Sequence, residues 1–220
     1  MRAVRAGLAG LVVVGVLAAP VAQASRPKPV CDLVTDPAGD VIGSEPGVDN
    51  GDYDIRSADI ATDKRNLTAV IRLTSLAPDT GVSVADRTYE IDFTANGHTF
   101  ALEAALLTGG VSYDAVVYDT SAPGGRYGTA LGDISGVVDS ARHELRMTAP
   151  LALFSKYASF RQTYIAGLYV ITGRAVGYGA VDPPGAKAHI GSQAVTMVVD
   201  DARSGARYQP GARSCVAVGK

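Results

Sequence analysis

The chain contains no tryptophan, only two cysteines and only three histidines among its 220 residues. Each shortage excludes something. Without tryptophan it lacks the side chain best suited to stacking on a sugar ring, and tyrosines such as Tyr113, Tyr118, Tyr169 and Tyr178 are left as partial substitutes. With no histidine or second thiol at ligand spacing from either cysteine, a reactive thiol or a metal pair is the weaker reading of the two. His98, His143 and His189 stand far apart and none belongs to an HExxH helix, so they read as surface or turn residues. No serine sits in a G-x-S-x-G elbow, and Gly191-Ser192 has no acid or base that spacing alone would place beside it. A triad gathered from distant parts of the chain stays open, because triads assemble in space.

Long apolar runs are also scarce, and the one present opens the chain. Arg2 and Arg5 supply a short cationic start, Ala6 to Ala19 is almost wholly apolar, and Ala22-Gln23-Ala24 offers the small-x-small pattern of a signal peptidase site. Residues 1–24 therefore read as a secretory signal cut before Ser25. Pro20 interrupts the run short of the roughly 20 residues that span a bilayer, which argues against a retained membrane anchor. Lys28-Pro29-Val30 before Cys31 is not a lipobox, and Arg2 and Arg5 are not a twin-arginine pair, so the expected product is lipid-free, exported unfolded and extracellular.

Removing 24 of the 220 residues leaves 196, a length for one domain, residues 25–220. The whole chain has 20 basic and 22 acidic residues; losing Arg2 and Arg5 leaves 18 against 22, a net charge of −4. Such a balance gives no reason to expect nucleic acid or an anionic membrane as partner. Cys31 and Cys215 lie near the two ends of the exported part, and an oxidising compartment joins such a pair.

Between Pro37 and Pro210 short alternating segments are broken by Gly, Pro, Asn and Asp, with almost no helical periodicity. This is the pattern of an all-β protein, an antiparallel, jelly-roll-like β-sandwich with at most one short helix, at Leu151–Phe160. The clearest segment is Tyr89 to Ala104. Asn96-Gly97 is the preferred pair for a two-residue type I′ turn, and that turn sets Phe93 opposite Phe100, Ile91 opposite Leu102 and Tyr89 opposite Ala104 on one face. The other face carries Asp92 and sets Glu90 opposite Glu103, an unfavourable pair unless solvent or a cation relieves it.

A second hairpin is expected from Asp54-Ile55 through the turn Asp63–Asn66 and back along Leu67 to Leu76. Its looser echo runs from Asp133-Ile134 through Asp139–His143 to Glu144–Thr148, a repeated device and not a solenoid. Further strands are expected at Val111–Tyr118, Tyr164–Ile171, Gln193–Val199 and Ser214–Val218.

The chemistry-bearing stretch is Asp36-Pro37-Ala38-Gly39-Asp40, followed by Asp49-Asn50-Gly51-Asp52-Tyr53-Asp54 and then Asp59. Hard cations need several oxygen ligands on bent backbone, so Asp36, Asp40, Asp52, Asp54 and Asp59 form a candidate calcium site. The same residues also serve as plain turn formers, and their spacing is not that of an EF-hand loop. The facing carboxylates Glu90 and Glu103, with Asp92, admit a second reading, a retaining glycoside hydrolase, because about 5 Å would separate the pair. Against it stands the ordinary solvated acidic sheet face.

The run Val34-Thr-Asp-Pro-Ala-Gly-Asp40, its continuation to Asp54-Ile55 and the following strand pair resemble the opening of secreted actinobacterial β-sandwich proteins of unassigned function. Those are similar in turn to carbohydrate-binding and DOMON-like modules. The ending Ser214-Cys-Val-Ala-Val-Gly-Lys220 resembles theirs as well. The resemblance covers the exported chain loosely, and its one specific piece is Asp36–Asp40. It implies a binding or structural sandwich, sometimes with a structural calcium, and the expected function is a non-enzymatic module whose ligand is a glycan, a cell-wall polymer or another protein. It transfers no catalytic residue.

Overall fold

The computed structural model describes residues 28–41, 50–78, 87–107, 110–119, 127–179 and 193–216. The expected signal segment, residues 1–24, lies outside the described residues, as do Asp49, His189, Ser192 and the side chain of Tyr178.

Among the described residues eleven strands form two antiparallel sheets: β1 Val34–Thr35, β2 Ile55–Thr62, β3 Asn66–Leu73, β4 Arg87–Ala95, β5 His98–Leu107, β6 Gly110–Asp119, β7 Tyr127–Asp133, β8 Ser135–Asp139, β9 Glu144–Pro150, β10 Ala166–Gly179 and β11 Gln193–Ser204. One sheet has the order β1-β2-β3-β9-β8 and the other β11-β10-β4-β5-β6-β7. Their inner faces close over one core, and the protein is an all-β sandwich.

The β4–β5 hairpin has the register its turn dictates: Phe93 pairs with Phe100, Ile91 with Leu102, Tyr89 with Ala104 and Glu90 with Glu103. Asn96 at φ 53° and Gly97 at φ 78° supply the two positive φ values of the turn. The inward row is fully buried, and all four phenylalanines of the chain gather there. Phe93 and Phe100 stack at 5.5 Å, while Phe154 sits edge-on to Phe100 and to Phe160 at 5.4 Å each.

That cluster explains why Leu151–Phe160 does not make a helix of any length. Only Leu151–Phe154 turns, as a 3-10 element after Pro150. Burying both Phe154 and Phe160 against the hairpin sets the path of the segment, so tertiary packing overrides local preference.

Both DI hairpins are present, and they adjoin. β2 and β3 pair across the turn at Asp63, whose Oδ1 accepts from the amides of Arg65 and Asn66 at 2.6 and 2.7 Å. β8 and β9 form the echo, and β9 lies beside β3, so both copies share one sheet. The second differs at its start. Asp133 ends β7 in the larger sheet, Ile134 donates to Tyr113 carbonyl at 3.0 Å, and the chain crosses to the smaller sheet at Ser135.

Cys31 and Cys215 are disulfide-bonded, with Cα atoms 5.3 Å apart. They do not sit in paired terminal strands. Of Ser214–Val218 the described part reaches Val216, and it makes a single parallel bridge, Ser214 to Val30, with Cys215 N donating to Val30 carbonyl at 3.2 Å. The expected strand at Tyr164–Ile171 begins at Ala166 and runs on to Gly179, and that at Gln193–Val199 continues to Ser204. Among the described residues no helix is long and apolar enough to cross a membrane.

Candidate functional site

Asp36 and Asp40 flank the turn that follows β1. Gly39, at φ 82°, bends that turn and brings its own amide to Asp54 Oδ2 at 3.0 Å. Asp54 immediately precedes β2 and accepts a second bond at Oδ2, from Thr74 Oγ1 at 2.8 Å. The contact between turn and β2 was legible as a stretch of acidic residues. The third contributor was not: Asp200, on β11, comes from 146 residues beyond Asp54 and 160 beyond Asp40. Carboxylate oxygens of Asp36, Asp40 and Asp200 lie within 4.8 Å of one another.

Asp200 was hidden because the strand at its position reads as ending with Val199. The available signal was an aspartate on an inward row, since its neighbour Ala202 is buried and Asp200 itself pairs with Thr172 on the core side of β10. Asp200 Oδ2 accepts from the amide of Ile55 at 2.8 Å, which ties β11 to the start of β2.

The electrostatics of this group are those of unrelieved like charge. Burial, and then the charges of Asp200, Asp40, Asp54 and Asp201, push the Asp36 carboxyl up to about 6. Asp200 is raised as well, chiefly by burial and further by Asp40 and Asp54, although the Ile55 amide works in the opposite direction. Two oxygens are buried and receive no hydrogen bond from the protein: Asp36 Oδ2 and Asp54 Oδ1. The Asp54 residue is only 5% exposed.

Asp52 and Asp59 belong elsewhere. Asp52 forms a buried ion pair with Arg87, and its Oδ1 also accepts from Ser75 Oγ at 2.9 Å and Ala77 N at 3.0 Å. Asp59, fully buried, accepts from Arg72 Nη1 at 2.7 Å and from the amide of Leu33 at 3.0 Å; Arg72 then reaches Glu144 at 3.0 Å. Both carboxylates have their counter-charge in the protein, so the structure groups neither with Asp36, Asp40 and Asp200.

The acidic face of the larger sheet is a cross-strand row. Glu90 pairs with Glu103, Glu103 with Asp114 and Asp114 with Asp133. The opposition of Glu90 and Glu103 is relieved by a group that alternation alone did not suggest: the Tyr118 hydroxyl stands 2.8 Å from an oxygen of each, and its single hydrogen serves one carboxylate at a time. Burial and the two glutamate charges raise the phenol well above its usual range, so it stays a donor. Asp92 is buried beside this row, opposite Tyr169, over whose ring the Arg203 guanidinium lies at 4.1 Å.

At the turn end of the β4–β5 hairpin an open cleft of about 470 Å³ is lined by Thr94, Asn96, Gln162, Thr163, Tyr164 and Arg207, among others. Tyr164 is 54% exposed, and Asn96 Nδ2 is fixed by Tyr157 carbonyl at 2.9 Å. Gln162 and Arg207 are exposed at its rim. Comparison with known proteins finds no matching family model, no matching curated protein and no matching solved structure.

Proposed function

We propose that the chain works outside the cell as a non-enzymatic β-sandwich module that binds a glycan, with the cleft at Tyr164 as its binding surface. A surface polymer is the same chemistry in longer form. The observation that carries the reading is the pairing of one exposed tyrosine with planar amide and guanidinium groups around an open depression. A pyranose presents an apolar C–H face and a ring of hydroxyls. An aromatic plate with Asn, Gln and Arg at its rim matches both.

Export fits the apolar leader and the Cys31–Cys215 bond, which an oxidising compartment favours. The hydrolase reading on Glu90, Asp92 and Glu103 is weaker, because the Tyr118 hydroxyl sits against both glutamates where a scissile bond would have to enter.

Affinity electrophoresis through gels containing cell-wall and storage polysaccharides tests the proposal. Retardation by at least one polymer is expected, lost in Tyr164→Ala and weakened in Arg207→Ala, with melting temperature preserved. Retardation unaffected by Tyr164→Ala would move the site elsewhere. Release of reducing sugar by the protein, abolished in Glu90→Gln, would establish the hydrolase instead.

A further inference from the structure

We infer that Asp36, Asp40 and Asp200, with the buried Asp54 beside them, hold a calcium ion that clamps the turn after β1 to β11. The site shares no residue with the Tyr164 cleft and does not depend on that reading. Acidic residues crowd many protein surfaces without binding anything, so the weight falls on a second observation. Asp54 is more than nine-tenths buried, its Oδ2 is tethered to Gly39 and Thr74, and its Oδ1 receives no hydrogen bond from the protein. Asp36 Oδ2 is a second buried oxygen in the same condition. Leaving such an acceptor unsatisfied is costly, more so when it is charged, unless something else supplies the missing partner.

The identity of that partner follows from donor chemistry and size. Every candidate ligand is a carboxylate oxygen, with no imidazole or thiolate, which favours hard cations over zinc or copper. Calcium takes six to eight oxygens at about 2.3–2.6 Å, so ligands on opposite sides of one ion stand up to roughly 5 Å apart. The oxygens of Asp36, Asp40 and Asp200 lie within 4.8 Å of one another, close enough to share one ion of this size. Magnesium demands near-ideal octahedral order and keeps several of its waters, so a cage built from protein carboxylates suits calcium better.

The location gives the ion its role. β1 is an edge of the smaller sheet and β11 an edge of the larger, and the two edges lie beside each other. No backbone pairing joins the sheets there among the described residues. Asp36 and Asp40 come from the β1 side and Asp200 from the β11 side, so one cation would close the seam. Five residues upstream of Asp36, Cys31 is bonded to Cys215. The segment from 31 to 40 is then held covalently at one end and by the ion at the other.

The test uses the disulfide-bonded protein stripped of metal with EDTA and titrated with calcium chloride alone. Calorimetry should show one saturable site, and calcium at 100 times its dissociation constant should raise the melting temperature by about 5–10 °C. Asp40→Asn, at an exposed position that leaves folding intact, and Asp200→Asn should each weaken binding at least tenfold, whereas Asp63→Asn on a remote turn should not. Absence of saturable binding overturns the inference. So does binding unchanged in Asp40→Asn or Asp200→Asn, or magnesium bound as tightly as calcium.

Discussion

Three buried carboxylates, Asp52, Asp54 and Asp59, lie in one short stretch of chain and end in opposite surroundings. Asp52 and Asp59 each meet an arginine, Arg87 and Arg72, carried by a different strand. Asp54, between them in sequence, accepts from the Gly39 amide and the Thr74 hydroxyl, its charge acts on Asp36 and Asp200, and among the described residues no ion pair reaches it. The first set is complete as built: its counter-charges are part of the fold. Among the described residues the second has no such ion pair, and its like charges raise the carboxyl of Asp36 and that of Asp200. A binding site is distinguished from an internal ion pair by where the opposite charge comes from, not by how many aspartates are present.

The largest effect that would sharpen this contrast comes from emptying one side of a completed pair. Arg87→Met keeps apolar bulk but strands Asp52 as a buried charge, and should cost about 3–5 kcal/mol in urea unfolding. Adding Asp52→Asn should return much of that loss, because the remaining amide still accepts from Ser75 and Ala77. If the single variant is as stable as wild type, the pair is not the neutralised unit described.

Arg72→Met comes next, at roughly 2–3 kcal/mol. The loss is smaller because the Arg72 side chain is a quarter exposed, letting water reach the pair, while Asp59 keeps its bond from Leu33. Measured in the same way, a cost above that of Arg87→Met would invert the ranking by burial.

The acidic cluster should respond with the opposite sign. In metal-free protein near neutral pH, Asp36→Asn removes one of several mutually repelling charges and should leave stability unchanged or raise it by up to about 1 kcal/mol. A loss of more than about 1 kcal/mol would mean that Asp36 has a favourable partner when ionised, and the two sets of acids would be alike.

The fold was legible because its signals are local. Asn96-Gly97 dictates a turn, and the turn dictates which residues face each other over the whole β4–β5 hairpin. Cys31 and Cys215 had no other partners to choose. Asp36, Asp40 and Asp54 could be grouped because a single bend at Gly39 suffices to bring them together. Asp200 could not, since its place depends on which strand forms the sheet edge next to β1, a decision of global topology. For the same reason the fates of Asp52 and Asp59 were hidden. Their arginines lie on β4 and β3, and charge alone does not say which acid an arginine will choose. The Tyr118 bridge between Glu90 and Glu103 was missed because strand alternation reports which face a residue occupies, not how far along that face a long side chain reaches.

The smallest effect, and the most diagnostic of the cluster, is a pH dependence with an unusual sign. An ordinary stabilised carboxylate has a lowered folded-state pKa and loses its contribution on acidification; Asp63, held below the usual carboxylate range by the Arg65 and Asn66 amides, is one. Asp36 is the reverse. Its folded-state value is raised from 3.8 to about 6, so between those limits the folded protein binds more protons than the unfolded chain. Stability from this group is fully present below about pH 4 and is lost as pH rises through about 6. Asp200, raised for the same reasons, adds to the trend. In EDTA, lowering the pH from about 7 to about 5 should therefore stabilise wild type relative to Asp36→Asn, and taking the difference between the two proteins cancels every group they titrate alike. Saturating calcium should remove the difference in slope or reverse it, since the ion competes with the proton for the same oxygens and favours their ionised form. Parallel melting profiles for wild type and Asp36→Asn across this range, in EDTA, would show that Asp36 titrates normally and that its neighbours do not share one crowded site.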